Sequence, residues 1–218
     1  MARTRKRALV SGAVSGRNAL SYAGILGILG FVILVGFTNF LVFIIGLVAF
    51  VMYVAVYGYY KRRSSYGTLV GSIPGALPPV AGYVAVTDRF DVGTLLLFLV
   101  LVYWQMAHFY AIALYRLKDY QSAEIPVMPA VSGSKSTKQQ ILLYIVAFML
   151  INVAFTILGY TGATFATIMT IVGLIWLWVG AGRLKGLSDI VWGRSMFLFS
   201  LIVILTLSVM LAIGGRLD

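Results

Sequence analysis

Six acidic residues serve the whole 218-residue chain, and two of them, Asp119 and Glu124, share one short segment with Arg116 and Lys118. Carboxylates set among guanidinium and ammonium groups suit a metal-bearing polyphosphate. The acids hold a hard cation such as Mg²⁺, and the bases neutralise phosphate oxygens. The same pattern also fits plain solvated loop charge. Further cations stand at Arg3, Arg5, Lys6 and Arg7, and again at Lys61, Arg62 and Arg63. Beside anionic lipid headgroups such clusters also serve as topology anchors. The single histidine, His108, lies in an apolar run. An ionisable group there is a functional candidate, the alternative being a histidine satisfied by a neighbouring helix. At about 100° per residue from Trp104, Tyr115 falls near 20°, His108 near 40° and Asp119 near 60°, provided the helix continues that far. One face would then carry an indole, a phenol, an imidazole and a carboxylate.

The elements that position these groups follow from hydropathy. Hydrophobic residues make up 61% of the chain and charged residues 11%, which excludes a soluble domain, because too little polar surface remains to cover it. Runs long enough to cross a hydrocarbon core of ~30 Å lie near 19–37, 40–60, 68–87, 93–115, 140–160, 162–182 and 195–214. The expected fold is an all-α integral membrane protein of about seven spans in a single domain, residues 1–218. Thr38 and Asn39 alone separate the first two runs, and Gly159 to Gly162 join the fifth and sixth, so each pair forms a tight hairpin. With the N-terminus cytoplasmic, fifteen of the seventeen Lys and Arg residues fall on the inside and only Arg89 and Arg216 outside. That bias places the N-terminus in the cytoplasm and the C-terminus outside. The formal net charge of +11 therefore reads as topology and headgroup charge, not as nucleic-acid binding. Absence of cysteine excludes disulfides, thiolate metal sites and a cysteine nucleophile.

The third run is unusual. Gly67, Gly71 and Gly75 recur every fourth residue and allow close helix contact. Pro74, Pro78 and Pro79 each remove a backbone donor, which lipid cannot replace. A span interrupted in this way lines a protein-enclosed or hydrated chamber. A charged mouth above an apolar, aromatic-lined chamber suits a polyprenyl diphosphate, whose chemistry is ionisation of the allylic C–O bond.

These stretches carry a resemblance. Met1 to Leu9, Tyr60 to Thr68 (YKRRSSYGT), Gly71 to Tyr83 (GSIPGALPPVAGY) and Trp104 to Pro129 (WQMAHFYAIALYRLKDYQSAEIPVMP) resemble the protoheme IX farnesyltransferase, or heme O synthase, branch of the UbiA prenyltransferase superfamily. The resemblance implies farnesyl transfer from farnesyl diphosphate to a vinyl group of heme B, with water added, giving heme O for terminal oxidases. It implies that Arg3, Arg7, Lys61 and Arg62 grip diphosphate, that Asp119 helps hold Mg²⁺, and that His108 lies near the porphyrin as iron ligand, polar anchor or proton-transfer group. A heme A synthase or a terminal oxidase would take the product. Ala107 stands where the family often has Pro, and Tyr83 where it often has Trp. The family also has an Asn-x-x-x-Asp-x-x-x-Asp motif and about two further spans before the position of Arg3, so the resemblance implies an N-terminally incomplete bundle. Within the superfamily another acceptor is the alternative. Outside it stand a non-catalytic seven-span protein, an inactive fragment, a receptor or a transporter. The last span lacks the lysine of a retinal protein, and no clear inverted repeat marks a transporter.

Overall fold

The computed structural model describes residues 6–183 and 186–213, which are helical apart from the turns and bends of 6–15 and short connections. In chain order the helices are α1 (Gly16–Phe37), α2 (Phe40–Tyr60), α3 (Gly67–Thr87), α4 (Val92–Tyr115), a short α5 (Leu117–Gln121), α6 (Met128–Ile157), α7 (Ala163–Gly182) and α8 (Asp189–Ile213). All but α5 are long and apolar enough to cross a membrane, which gives the seven expected spans.

Local chemistry sets the ends. Asn39 caps α2 by accepting from the Val42 amide, and its Nδ2 donates to the Val84 carbonyl 2.9 Å away, so one side chain both closes the α1–α2 hairpin and ties it to α3. Asp91 and Thr94 cap each other's backbone at the start of α4. Gly159 takes φ 76° in the α6–α7 turn, a left-handed conformation that suits glycine.

Two boundaries differ from expectation. The fifth span begins at Met128, not near 140, because the polar stretch after Ser132 stays helical. Gly133, at φ 77°, bends the chain between two helical pieces. The last span begins at Asp189, not near 195. Its first turn is anchored there by a 2.7 Å ion pair from Lys138 of α6. Lys138 also sits 5.3 Å from the Trp192 ring, and the Trp192 indole donates to the Gly180 carbonyl at 3.0 Å. This cluster joins α6, α7 and α8 at one end of the bundle.

Helix α4 is the axis of the fold and packs against α3, α6 and α8. Tyr110, Phe148, Phe165, Trp176 and Met196 fill the core around it with almost no exposure. The α4–α8 crossing is backbone to backbone. A Cβ on Gly193 would lie 2.8 Å from the Ala111 carbonyl and 2.9 Å from the Tyr115 amide nitrogen. By contrast, α1 buries no residue and packs on α2. Its apolar side chains and those on the outer faces of the other spans meet the hydrocarbon, where helices satisfy their own backbone.

Candidate functional site: a cation-mouthed cavity inside the bundle

A cavity of about 840 Å³ opens among α2, α3 and α4 at the end of the bundle that carries the 61–66 and 116–127 connections. Arg7, Lys61, Arg62, Ser64, Ser65, Thr68 and Tyr120 line its mouth. Tyr53, Tyr57, Pro74, Gly75, Gln105, Phe109, Ala113 and Val127 complete its lining. The chamber expected beside the proline-rich span is therefore present. Helix α3 itself runs on through all three prolines, as Pro's fixed φ of about −65° is itself helical. What is lost is the set of backbone donors.

Glycines bring these parts together. At Gly67 a Cβ would lie 3.0 Å from the Lys61 Cα and 3.3 Å from the Tyr60 carbonyl, so the basic turn folds back over the start of α3. At Gly71 it would lie 2.7 Å from the Tyr57 ring, which thereby forms the cavity wall. The Lys61 ammonium stands 5.3 Å from the centre of that ring. Tyr66 occupies the N-cap of α3 without a side-chain cap. A 21-residue helix thus turns its positive dipole end toward Lys61 and Arg62, a combination that favours an anion.

The sequence-derived site divides in two. Arg7, Lys61 and Arg62 meet at the mouth, while Arg3 lies outside the described residues. Trp104, His108 and Tyr115 do share a face, but that face is turned onto α8, not into the cavity. His108 Nδ1 lies 2.7 Å from Ser200 Oγ, the Trp104 indole donates to the Ser200 carbonyl at 2.8 Å, and the Tyr115 ring lies 5.7 Å from that of Phe197. Trp104 and Phe197 also enclose the imidazole, with ring centres 4.8 and 5.0 Å away. Ser200 Oγ donates to the Phe197 carbonyl, so it accepts from His108 Nδ1–H. The cavity instead receives Gln105, Phe109 and Ala113, the next face round at about 100°. The cause is Gly193, which draws α8 against the Ala111 and Tyr115 backbone and covers the Trp104 face.

The acidic segment also departs from a continuous helix. Helix α4 stops at Tyr115, and Arg116 takes φ −110° and ψ 16°, so Asp119 belongs to α5 and not to the α4 face. Its carboxylate lies 3.5 Å from Arg116 Nη1, and the Arg116 guanidinium covers the Tyr115 ring at 5.1 Å. Lys118 and Glu124 are exposed, and Glu124 holds φ 53°. Asp119 immediately precedes the mouth residue Tyr120. Among the described residues no three His, Cys, Asp or Glu side chains gather as metal ligands. Sequence reading missed Gln105, Tyr53 and Tyr57. An uncharged amide in the middle of an apolar run was the available signal for the first.

Comparison with known proteins agrees with this architecture. The model of the UbiA prenyltransferase family matches residues 1–211. A protein named protoheme IX farnesyltransferase from Yersinia enterocolitica is 46% identical over 214 residues, spanning 98% of this chain and 72% of its own length. One named protoheme IX farnesyltransferase 2, from Chromobacterium violaceum, is 49% identical over 218 residues, with 99% and 72% covered. In fold, the chain is similar to the solved structure of a digeranylgeranylglyceryl phosphate synthase. The TM-score is 0.81 at 18% identity, across 98% of this chain and 76% of that one.

Proposed function

Because this chain belongs to the UbiA prenyltransferase family, we propose that it transfers the farnesyl group of farnesyl diphosphate to a vinyl group of heme B, giving heme O. The acceptor rests on the relatives' names. The prenyl-diphosphate chemistry is supported by one observation above all: a single cavity joins a cationic mouth and the uncapped start of α3 to an aromatic interior.

The mouth holds the diphosphate. Arg7, Lys61 and Arg62 neutralise its oxygens, the α3 N-terminus adds aligned backbone dipoles, and Mg²⁺ enters as part of the substrate, with Asp119 and Glu124 as the carboxylates offered by the adjoining segment. Arg116 and Lys118 add positive potential beside them. As the allylic C–O bond breaks, its electron pair leaves with the diphosphate, where these fixed charges stabilise it. The Tyr53, Tyr57 and Phe109 rings face the other fragment, an allylic cation. The vinyl π electrons then form the new C–C bond, water adds to the cation left on the porphyrin side chain, and the surplus proton passes to the released diphosphate. Cells that lack their own heme-farnesylating enzyme and receive the gene encoding this chain should accumulate a farnesylated heme, detected by chromatography and mass spectrometry of extracted hemes. A farnesylated product on another acceptor, with heme untouched, would sink the heme assignment.

The seven spans make this a multi-pass membrane protein. We place it in a bacterial or archaeal cell membrane with the cavity mouth cytoplasmic, where a soluble prenyl diphosphate is supplied. Heme B enters from the bilayer, and the product passes to a heme A synthase or a terminal oxidase. Reporter fusions after Lys138 and after Arg89 should give opposite signals, cytoplasmic for the first. Equal signals would overturn the orientation.

A further inference from the structure

We infer that Gln105 and the freed carbonyls of Pro74 and Gly75 form the seat of a water molecule that is consumed in the reaction. The inference rests on the farnesyl-transfer reading. Gln105 is 5% exposed and lines the cavity, and no hydrogen-bond partner for its side-chain amide stands among the described residues. It lies directly on α3, where a Cβ at position 75 would overlap its Oε1. Only glycine leaves the amide that place.

The helix it touches is short of donors at the same level. The carbonyls of Pro74 and Gly75 would each take an N–H from four residues on, and those residues are Pro78 and Pro79, which have none. Both carbonyl-bearing residues line the cavity. Pro78 and Pro79 therefore leave the Pro74 and Gly75 carbonyls without their usual helical donors, on the stretch of α3 that the Gln105 amide touches. Carbonyls so placed ask for a ligand that gives two hydrogens. A carboxylate offers none, and a prenyl chain or vinyl group offers no hydrogen bond at all. Water offers two, and a buried water typically needs two to four polar partners. Held by its hydrogens, it keeps a lone pair for the cavity.

The chemistry requires a water there. Attack of the vinyl π pair on the allylic carbon forms one C–C bond while the C–O bond breaks toward diphosphate. The porphyrin side chain is left as a cation. A lone pair of the seated water closes it as a C–O bond, and the surplus proton passes to the released diphosphate. Without that water, the cation loses a proton from the neighbouring carbon, and the product is an alkene lighter by one water. Gln105 is a positioning residue in this scheme, acting through the water and not as its base.

The test is the ratio of hydrated to water-free farnesylated heme, measured by mass spectrometry in the full chain and in Gln105→Met. Loss of one acceptor should shift the ratio toward the alkene by about tenfold, with KM for farnesyl diphosphate unchanged. An unchanged ratio, or an equal fall in both products, overturns the inference. Gly75→Ala, which displaces the amide without removing it, should shift the ratio in the same direction and stands in if Gln105→Met does not fold. A high-resolution map of the protein with no water between Gln105 and the α3 carbonyls would also overturn it, whatever the acceptor proves to be. Absence of any farnesylated heme from the unaltered chain instead refutes the transfer reading.

Discussion

Asp119→Asn is expected to lower farnesyl transfer by about a hundredfold or more, while expression and thermal stability stay near those of the parent. The substitution keeps the shape, exchanges one acceptor oxygen for an NH₂ donor, and removes the charge. In the proposed role that charge meets Mg²⁺ on a diphosphate whose own charge grows as the C–O bond breaks. Removing one ligand to transition-state charge commonly raises the barrier by a few kcal/mol, on the order of two powers of ten in rate. The fold gives little reason for a stability change. Asp119 is half-buried, and its link to Arg116 is a 3.5 Å pair between partly exposed groups, which contributes ~0–1 kcal/mol. Turnover is read from heme extracts and stability from thermal melting in detergent. Near-normal turnover would return Asp119 to the class of solvated loop charges.

The largest expected stability effect lies at Gly193. A methyl group there would meet the Ala111 carbonyl at 2.8 Å and the Tyr115 amide nitrogen at 2.9 Å. Both are backbone atoms of α4, which cannot rotate away as a side chain would. Overpacking of this kind typically costs about 1–3 kcal/mol, partly offset by roughly 1 kcal/mol of helix propensity gained over glycine. Gly193→Val should exceed Gly193→Ala, because a branched side chain must push α8 further from α4. Gly24→Ala supplies the contrast. Nothing lies within 4 Å of the added methyl, so that variant should be neutral or slightly stabilised. Equal melting temperatures for the Gly24 and Gly193 variants would mean that the α4–α8 crossing is looser than described.

Span count, hairpins and cationic mouth were legible because each depends on a local property. Apolar runs of about twenty residues report membrane thickness, Thr38 and Asn39 leave room only for a tight turn, and Lys61-Arg62 follows directly on a span. The functional face of α4 was not legible in the same way. Trp104, His108 and Tyr115 share a face by spacing, and rarity marked the histidine. Yet which neighbour that face meets is decided by a glycine about eighty residues further on, whose lack of a side chain brings Ser200 to the imidazole. Gln105 stands one position from Trp104, and a single amide in an apolar run has no periodicity to mark the face it lies on. Likewise α4 ends at Tyr115, where Arg116 leaves helical dihedrals, and spacing does not encode that break.

The pairing of His108 and Trp104 with Ser200, residues more than ninety positions apart, also sets an order of events during synthesis. When α4 leaves the translocon, the helix that will cover its polar imidazole has not yet been made. It must wait in lipid while α6 and α7 are inserted, with a polar ring and an indole N–H that hydrocarbon cannot satisfy. Docking of α8 ends that wait, and the Lys138–Asp189 pair and the Trp192 indole, at the very start of α8, catch the helix as it arrives. Lesions in the first turns of α8 should therefore appear as shortened lifetime of newly made chains, through capture by membrane quality-control proteases. The surviving mature molecules would retain their chemistry.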